Sequence, residues 1–191
     1  MAVTDDTTIL GSWNETPAGT EQSVAVLGLD AVDMSHNWRR CSLSADFLAR
    51  YYSYYFPYRE KATDRISRDA AENTISYILN ELIENTAKYS DASDTGVEVT
   101  VRLRESDVLF QVSNHVTARR AGDFTRLVSD LLGGNPEKLY IAQLEKNGDS
   151  SGLGYLTMIN DYGISLGFMI KKNADDVFTV SVQASMKWKE A

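Results

Sequence analysis

The amino-acid sequence predicts an α+β fold: a two-layer α/β sandwich with helices on one face of a mixed, largely antiparallel sheet. Three observations predict it. Apolar residues recur at helical spacing from about residue 70 to Tyr89, then switch to strict alternation from Val97 onward. Two pairs of strand-like runs are each joined by a short polar turn, Glu105-Ser106-Asp107 and Asn173-Ala174-Asp175-Asp176. The elements follow one another as strand, helices, paired strands, helices, paired strands, which gathers the helices in one layer.

Taken in order, residues 1–20 are polar and read as a flexible N-terminal arm, so that 21–191 forms a single domain. Ser23 to Leu29 is a short strand. Ser44 is placed to cap a helix through Phe56, stopped by Pro57; its aromatic stripe, Phe47, Tyr51, Tyr54 and Tyr55, reads most simply as core, or else as a partner face. Residues 58–69 are charged and loop-like, and the long helix to Tyr89 follows. Val97, Val99, Val101 and Leu103 face one way and Glu98, Thr100, Arg102 and Arg104 the other, in a hairpin with Val108 to His115. Arg119–Leu132 and Pro136–Lys146 read as helices around Gly133-Gly134-Asn135, their polar faces as solvated surface or else as partner surface. Gly148 to Gly154 is a loop into a helix over Tyr155–Tyr162, and Ile164–Lys171 and Val177–Trp188 are the last strands.

Composition removes several classes of function. The chain has 191 residues, 43% of them hydrophobic, which suffices for a packed core. A formal net charge of −8 argues against a nucleic-acid surface, which needs clustered Lys and Arg. The single cysteine, Cys41, excludes an internal disulfide and fits a reducing compartment. The first residues lack the features of a signal peptide, and no apolar run approaches the ~20 residues of a membrane helix. A soluble cytoplasmic protein without a membrane partner is expected.

Two motifs carry chemistry. In Asn80-Glu81-Leu82-Ile83-Glu84-Asn85-Thr86-Ala87-Lys88-Tyr89-Ser90, helical periodicity puts Glu81, Asn85, Lys88 and Tyr89 in one arc beside a core stripe. That arc offers an oxygen for a metal, a cation and an aromatic ring. In Asp149-Ser150-Ser151-Gly152-Leu153-Gly154-Tyr155, two glycines open a helix, where backbone N–H groups can approach phosphate oxygens closely.

Together these residues resemble the GHKL ATPase superfamily, which includes gyrase, ninety-kilodalton heat-shock chaperones, MutL, sensor histidine kinases and anti-sigma-factor serine kinases. Glu81 to Tyr89 looks like its N box and Ser151 to Leu156 like its second glycine box, over about residues 66–188. The resemblance implies a Bergerat-type sandwich that binds ATP or ADP with Mg²⁺. It places Asn85 at the metal, Glu81 as the catalytic residue that polarises the nucleophile, Lys88 near the phosphates and Tyr89 against the nucleotide. Ser151, Gly152, Leu153 and Gly154 would cradle phosphate. The chain departs from the pattern at the first glycine box, where Val112-Ser113-Asn114-His115-Val116 stands without the usual Asp-x-Gly-x-Gly. An amide at Asn114 can accept from the adenine amino group and donate to the ring.

A length of 191 residues reads as too short for the transducer domains of the gyrase, MutL and chaperone branches, and His36 and His115 lie in no long helix suited to a phosphoacceptor, so each reads as structural. What remains is the small stand-alone branch. Trp38-Arg39-Arg40, Leu43-Ser44-Ala45-Asp46-Phe47-Leu48-Ala49 and Tyr55-Phe56-Pro57 resemble SiaB-like regulators of a cyanobacterial group with a degenerate first glycine box. That likeness implies a serine/threonine protein kinase of a partner-switching system, acting on a small regulatory protein of the anti-sigma-antagonist or SiaC type. It also implies a possible homodimer, to which the tyrosine-rich stripe would contribute. The missing box motivates the alternative, a catalytically inactive module that sequesters its partner with or without nucleotide.

Overall fold

The computed structural model describes residues 3–4, 6–15, 21–30, 38–56, 67–90, 96–144 and 152–187. Seven strands form one sheet: β1 (Val3–Thr4), β2 (Thr7–Gly11), β3 (Ser23–Asp30), β4 (Gly96–Leu103), β5 (Asp107–Val116), β6 (Ser165–Ala174) and β7 (Val177–Lys187), in the spatial order β1-β2-β6-β7-β5-β4-β3. All six strand pairings are antiparallel, so the sheet is not mixed as the sequence reading had it. Five helices lie among the described residues: α1 (Trp38–Ser53), α2 (Arg68–Tyr89), α3 (Ala118–Gly133), α4 (Pro136–Leu144) and α5 (Leu153–Tyr162).

Alternation in the strands separates two unlike faces. Val97, Val99, Val101, Val108, Phe110, Val112, Val182 and Ala184 are buried in one core with the helices. The opposite face of β5 and β7 is polar, with Gln111, Ser113, Ser181 and Gln183 joined by side-chain hydrogen bonds of 2.8–3.3 Å. Helices therefore cover the apolar face, which makes the two-layer sandwich.

The arm expected over residues 1–20 is, in its described part, structured. Thr7–Gly11 pairs in register with β6, Thr7 opposite Lys171 and Gly11 opposite Gly167. Gly11, at φ 69°, then turns the chain onto the open face. There Asn14 N–H donates to Gln183 Oε1 at 2.9 Å, and Gln183 Nε2 donates back to the Asn14 carbonyl at 3.3 Å. A strand this short shows no period of its own, and its partner lies at the far end of the chain.

Helix α2 is the spine of the helical layer. Ser67 caps it by accepting from Ala70 N–H at 3.3 Å, and Ser90 N–H closes it on the Thr86 carbonyl. Ala71, Ile75, Ile78, Leu79, Leu82 and Ile83 are fully buried along one side. Helix α1 packs on it and begins at Trp38, ahead of the expected Ser44, because its buried stripe starts at Cys41 and continues through Ala45, Leu48, Ala49 and Tyr52. The aromatic stripe read as core is instead exposed: Phe47 is 69% accessible, Tyr51 49%, Tyr54 62% and Tyr55 39%. Tyr52 takes the core position, its hydroxyl donating to the Val101 carbonyl at 3.0 Å. The expected loop at 58–69 lies outside the described residues up to 66.

Candidate functional site

A cavity of ≈ 670 Å³ opens between the C-terminal half of α2, the end of β5, α3 and α5. That volume lies within the range of small-molecule sites. Its apolar wall comes from Val116, Phe124, Tyr155, Val180 and Val182; its polar rim includes Asn85, Asn114, Arg119, Arg120 and Asp123. An apolar wall with a few convergent polar groups suits a small organic ligand that carries polar or charged groups.

Local chemistry explains how these groups arrive together. Asn114 lies on β5 in the same phase as Val112 and Phe110, so it faces the helices and is buried. Its amide Nδ2 donates to Ser90 Oγ at 2.8 Å, and Ser90 Oγ in turn donates to the Thr86 carbonyl at 2.8 Å. One of the two N–H groups of the Asn114 amide is thus engaged by the C-terminal cap of α2. Asn85 projects from α2 one turn before that cap. Its Nδ2 is buried without a hydrogen-bond partner among the described residues, although buried amides are nearly always paired. The unpaired atom is a donor, so it fits an acceptor on a bound ligand, while the amide oxygen beside it is of the hard type that Mg²⁺ takes.

Glu81 sits one turn before Asn85 and outside the cavity wall. Its carboxylate is turned to the start of α5: a methyl group on Gly154 would lie 1.9 Å from Glu81 Oε2. Gly154 therefore makes room for the carboxylate. Gly152 caps α5 at φ 88°, a conformation that favours glycine, beside the cavity residue Leu127. Leu153 starts the helix proper. Ser151 lies outside the described residues, as do the side chains of Lys88 and Tyr89, whose backbones complete α2.

Burial first, and then the charge of Glu84, push the Glu81 carboxyl up from its ordinary value, while a hydrogen bond from Tyr77 pulls it back. Tyr77 is itself pushed up to about 12, chiefly by burial, and its ring stacks on Tyr162 at 4.9 Å. The native state thus holds the Glu81 proton more tightly than the unfolded chain does. The stability this contributes is complete below the ordinary carboxyl range and is lost as pH rises through the raised value. Glu81→Gln is accordingly expected to melt above the unaltered protein at neutral pH and level with it near about pH 4. Thermal melts across pH check this, and a neutral-pH melting point at or below the parent's would refute it.

Sequence reasoning did not single out Arg119, Arg120 and Asp123. They lie in the first turns of α3, where a surface helix with alternating charge gives no sign that one flank borders a cavity. No helix among the described residues is long and apolar enough to cross a membrane.

No protein-family model matches the chain, and no curated protein matches it. Among solved structures it is similar in fold to a chain of the SiaB–SiaC complex from Pseudomonas aeruginosa, with a TM-score of 0.57 and 16% identity, over 83% of this chain and 99% of that one. The α+β sandwich found here is thus an architecture shared with a protein crystallised as a SiaB–SiaC complex.

Proposed function

We propose that the chain is an ATP-binding signalling regulator of the GHKL type, a serine/threonine protein kinase that phosphorylates a small partner protein. The observation that carries the reading is one cavity lined by both Asn85, whose amide nitrogen is buried without a partner among the described residues, and Asn114, with Glu81 one turn before Asn85. The likeness in fold to a component of a two-protein complex supports a small protein partner. In this reading Asn114 Oδ1 accepts from the adenine amino group, and Phe124 and Tyr155 pack against the base. Arg119 and Arg120 face the phosphates or ribose. Asn85 would hold Mg²⁺ through its amide oxygen, and the ion would supply charge neutralisation on the transferring phosphoryl. A serine or threonine hydroxyl of the partner forms the new O–P bond, the bond to the ADP oxygen breaks, and Glu81 takes the hydroxyl proton. A carboxyl held above its ordinary range is the better base for that task. A homodimer is part of the proposal: among the described residues β3 has no strand on its outer edge, and it carries no charge before Asp30, so a second copy can extend the sheet there.

A second reading draws on two observations, the engagement of the Asn114 donor by Ser90 and the turning of Glu81 toward Gly154. Both suit a nucleotide-sensing or nucleotide-independent module that sequesters its partner without phosphorylating it. One experiment separates the two. The protein is mixed with Mg-ATP and its cognate small regulatory protein, and the latter is weighed by mass spectrometry. The kinase reading expects one added phosphoryl group, at a rate about 10²–10⁴-fold lower with Glu81→Gln. Tight complex formation with no mass gain supports the sequestering module.

A further inference from the structure

Helix α1 is apolar on two opposite sides. Cys41, Ala45, Leu48, Ala49 and Tyr52 face the core, whereas Leu43, at 67% accessible, joins Phe47 and Tyr54 on the side directed away from it. A surface helix of a globular protein carries one apolar stripe and a polar outer face. Tyr51 and Tyr55 extend the outer stripe, and a shallow groove of ≈ 430 Å³ runs between these rings and Arg50. The Arg68 guanidinium lies 4.3 Å from the centroid of the Tyr54 ring.

Charge indicates what such a groove would take. The described residues of this region, 38–56 and 67–68, hold four of the 19 Lys and Arg and one of the 27 Asp and Glu, a net of +3, whereas the remainder of the chain carries −11. Arg39 and Arg50 are exposed and have no ion-pair partner among the described residues. The single carboxylate of α1, Asp46, accepts from Ser76 Oγ of α2 at 2.6 Å, on the flank toward α2. Aromatic rings interleaved with arginines are the composition of a binding hot spot, where the rings supply buried area and the cations choose the partner. A second copy docked by the same face would set arginines against arginines.

We infer that the outward face of α1 docks an acidic segment of a partner protein, anchored by apolar side chains between Leu43 and Tyr54. The inference is independent of the nucleotide reading, because α1 lines no part of the cavity at Asn85.

The probe is a fluorescein-labelled helical peptide with Leu and Phe at i, i+3 and i+7 and Glu at the flanking positions. Its control has every Glu replaced by Lys. Anisotropy titrations on the full chain should show the acidic peptide binding at least about tenfold tighter, with the preference falling as salt rises. Arg39→Glu with Arg50→Glu should reverse the preference. Phe47→Ser should weaken the acidic peptide by about tenfold without moving the melting point, since the ring is exposed. Equal binding of the two peptides, or none, overturns the inference. So does a dimer in sedimentation that Phe47→Ser converts to monomers, which would make a second copy the occupant. A fluorescent ATP analogue titrated into the same variants reports separately on the cavity and should bind each of them alike.

Discussion

Gly167→Ala is expected to remove a large share of the protein's stability, although the change is a single methyl group on a strand. Residues 12–14 cross the open face of the sheet directly over this glycine. A Cβ there would lie 2.6 Å from Trp13 N and Cα and 2.7 Å from the Ser12 carbonyl carbon. These are backbone atoms on both sides, with no flexible side chain to yield. Forced overpacking costs about 1–3 kcal/mol. Lifting the crossing segment also breaks the two hydrogen bonds between Asn14 and the buried Gln183, each worth about 1 kcal/mol. A total of about 3–5 kcal/mol is a third or more of the stability of many domains. Gly28→Ala on edge strand β3 is the control, since nothing lies within 4 Å of its added Cβ; it should be neutral or stabilising by up to about 1 kcal/mol. Urea unfolding of the pair decides the matter. Similar midpoints for the two variants would show that the segment does not bear on the sheet at Gly167.

Asn85→Ala should produce the opposite pattern, a large loss of ligand affinity with no loss of fold. The side chain packs at the cavity wall and its buried Nδ2 has no acceptor among the described residues, so truncation removes an unsatisfied group. Removing such a group costs little and can raise stability. Metal-dependent nucleotide affinity, by contrast, should fall by at least about 10–100-fold, the usual cost of disturbing even the supporting residues of a metal site. Calorimetry with ADP and Mg²⁺, beside a thermal melt, reads both quantities. Affinity unchanged in the variant would remove Asn85 from the metal and leave the sequestering module as the better reading.

How far each of these features could be read from residues alone depended on how local its cause was. Helix α2 has a seam repeating at helical spacing within its own segment, so its course to Tyr89 was legible, although Arg68 and Asp69, read as loop, form its first turn behind the Ser67 cap. The β4–β5 hairpin was equally plain, because alternation and a short turn specify both strands and their register. Strand β2 was not, since its pairing depends on β6 far along the chain. The aromatic stripe of α1 was misread for a related reason. Both sides of that helix are apolar, and only the position of α2 and β4 determines which side is inward. At the cavity, Asn85 and Asn114 were visible as residue types in the right order. The bond that commits one N–H of Asn114 to Ser90, and the arginines that α3 brings to the rim, belong to the packing of separate elements.

By itself the sequence determined the class of fold, the order of its elements and a polar helix face at Glu81 and Asn85, since periodicity, caps and turns act over a few residues. Tertiary structure decided the rest: the crossing of residues 12–14 over Gly167, the approach of Glu81 to Gly154, the joining of Asn85 to Asn114 in one cavity and the outward turn of the α1 aromatics. Each depends on the meeting of surfaces from distant parts of the chain, where close packing and hydrogen-bond satisfaction choose among arrangements that local propensity leaves equal.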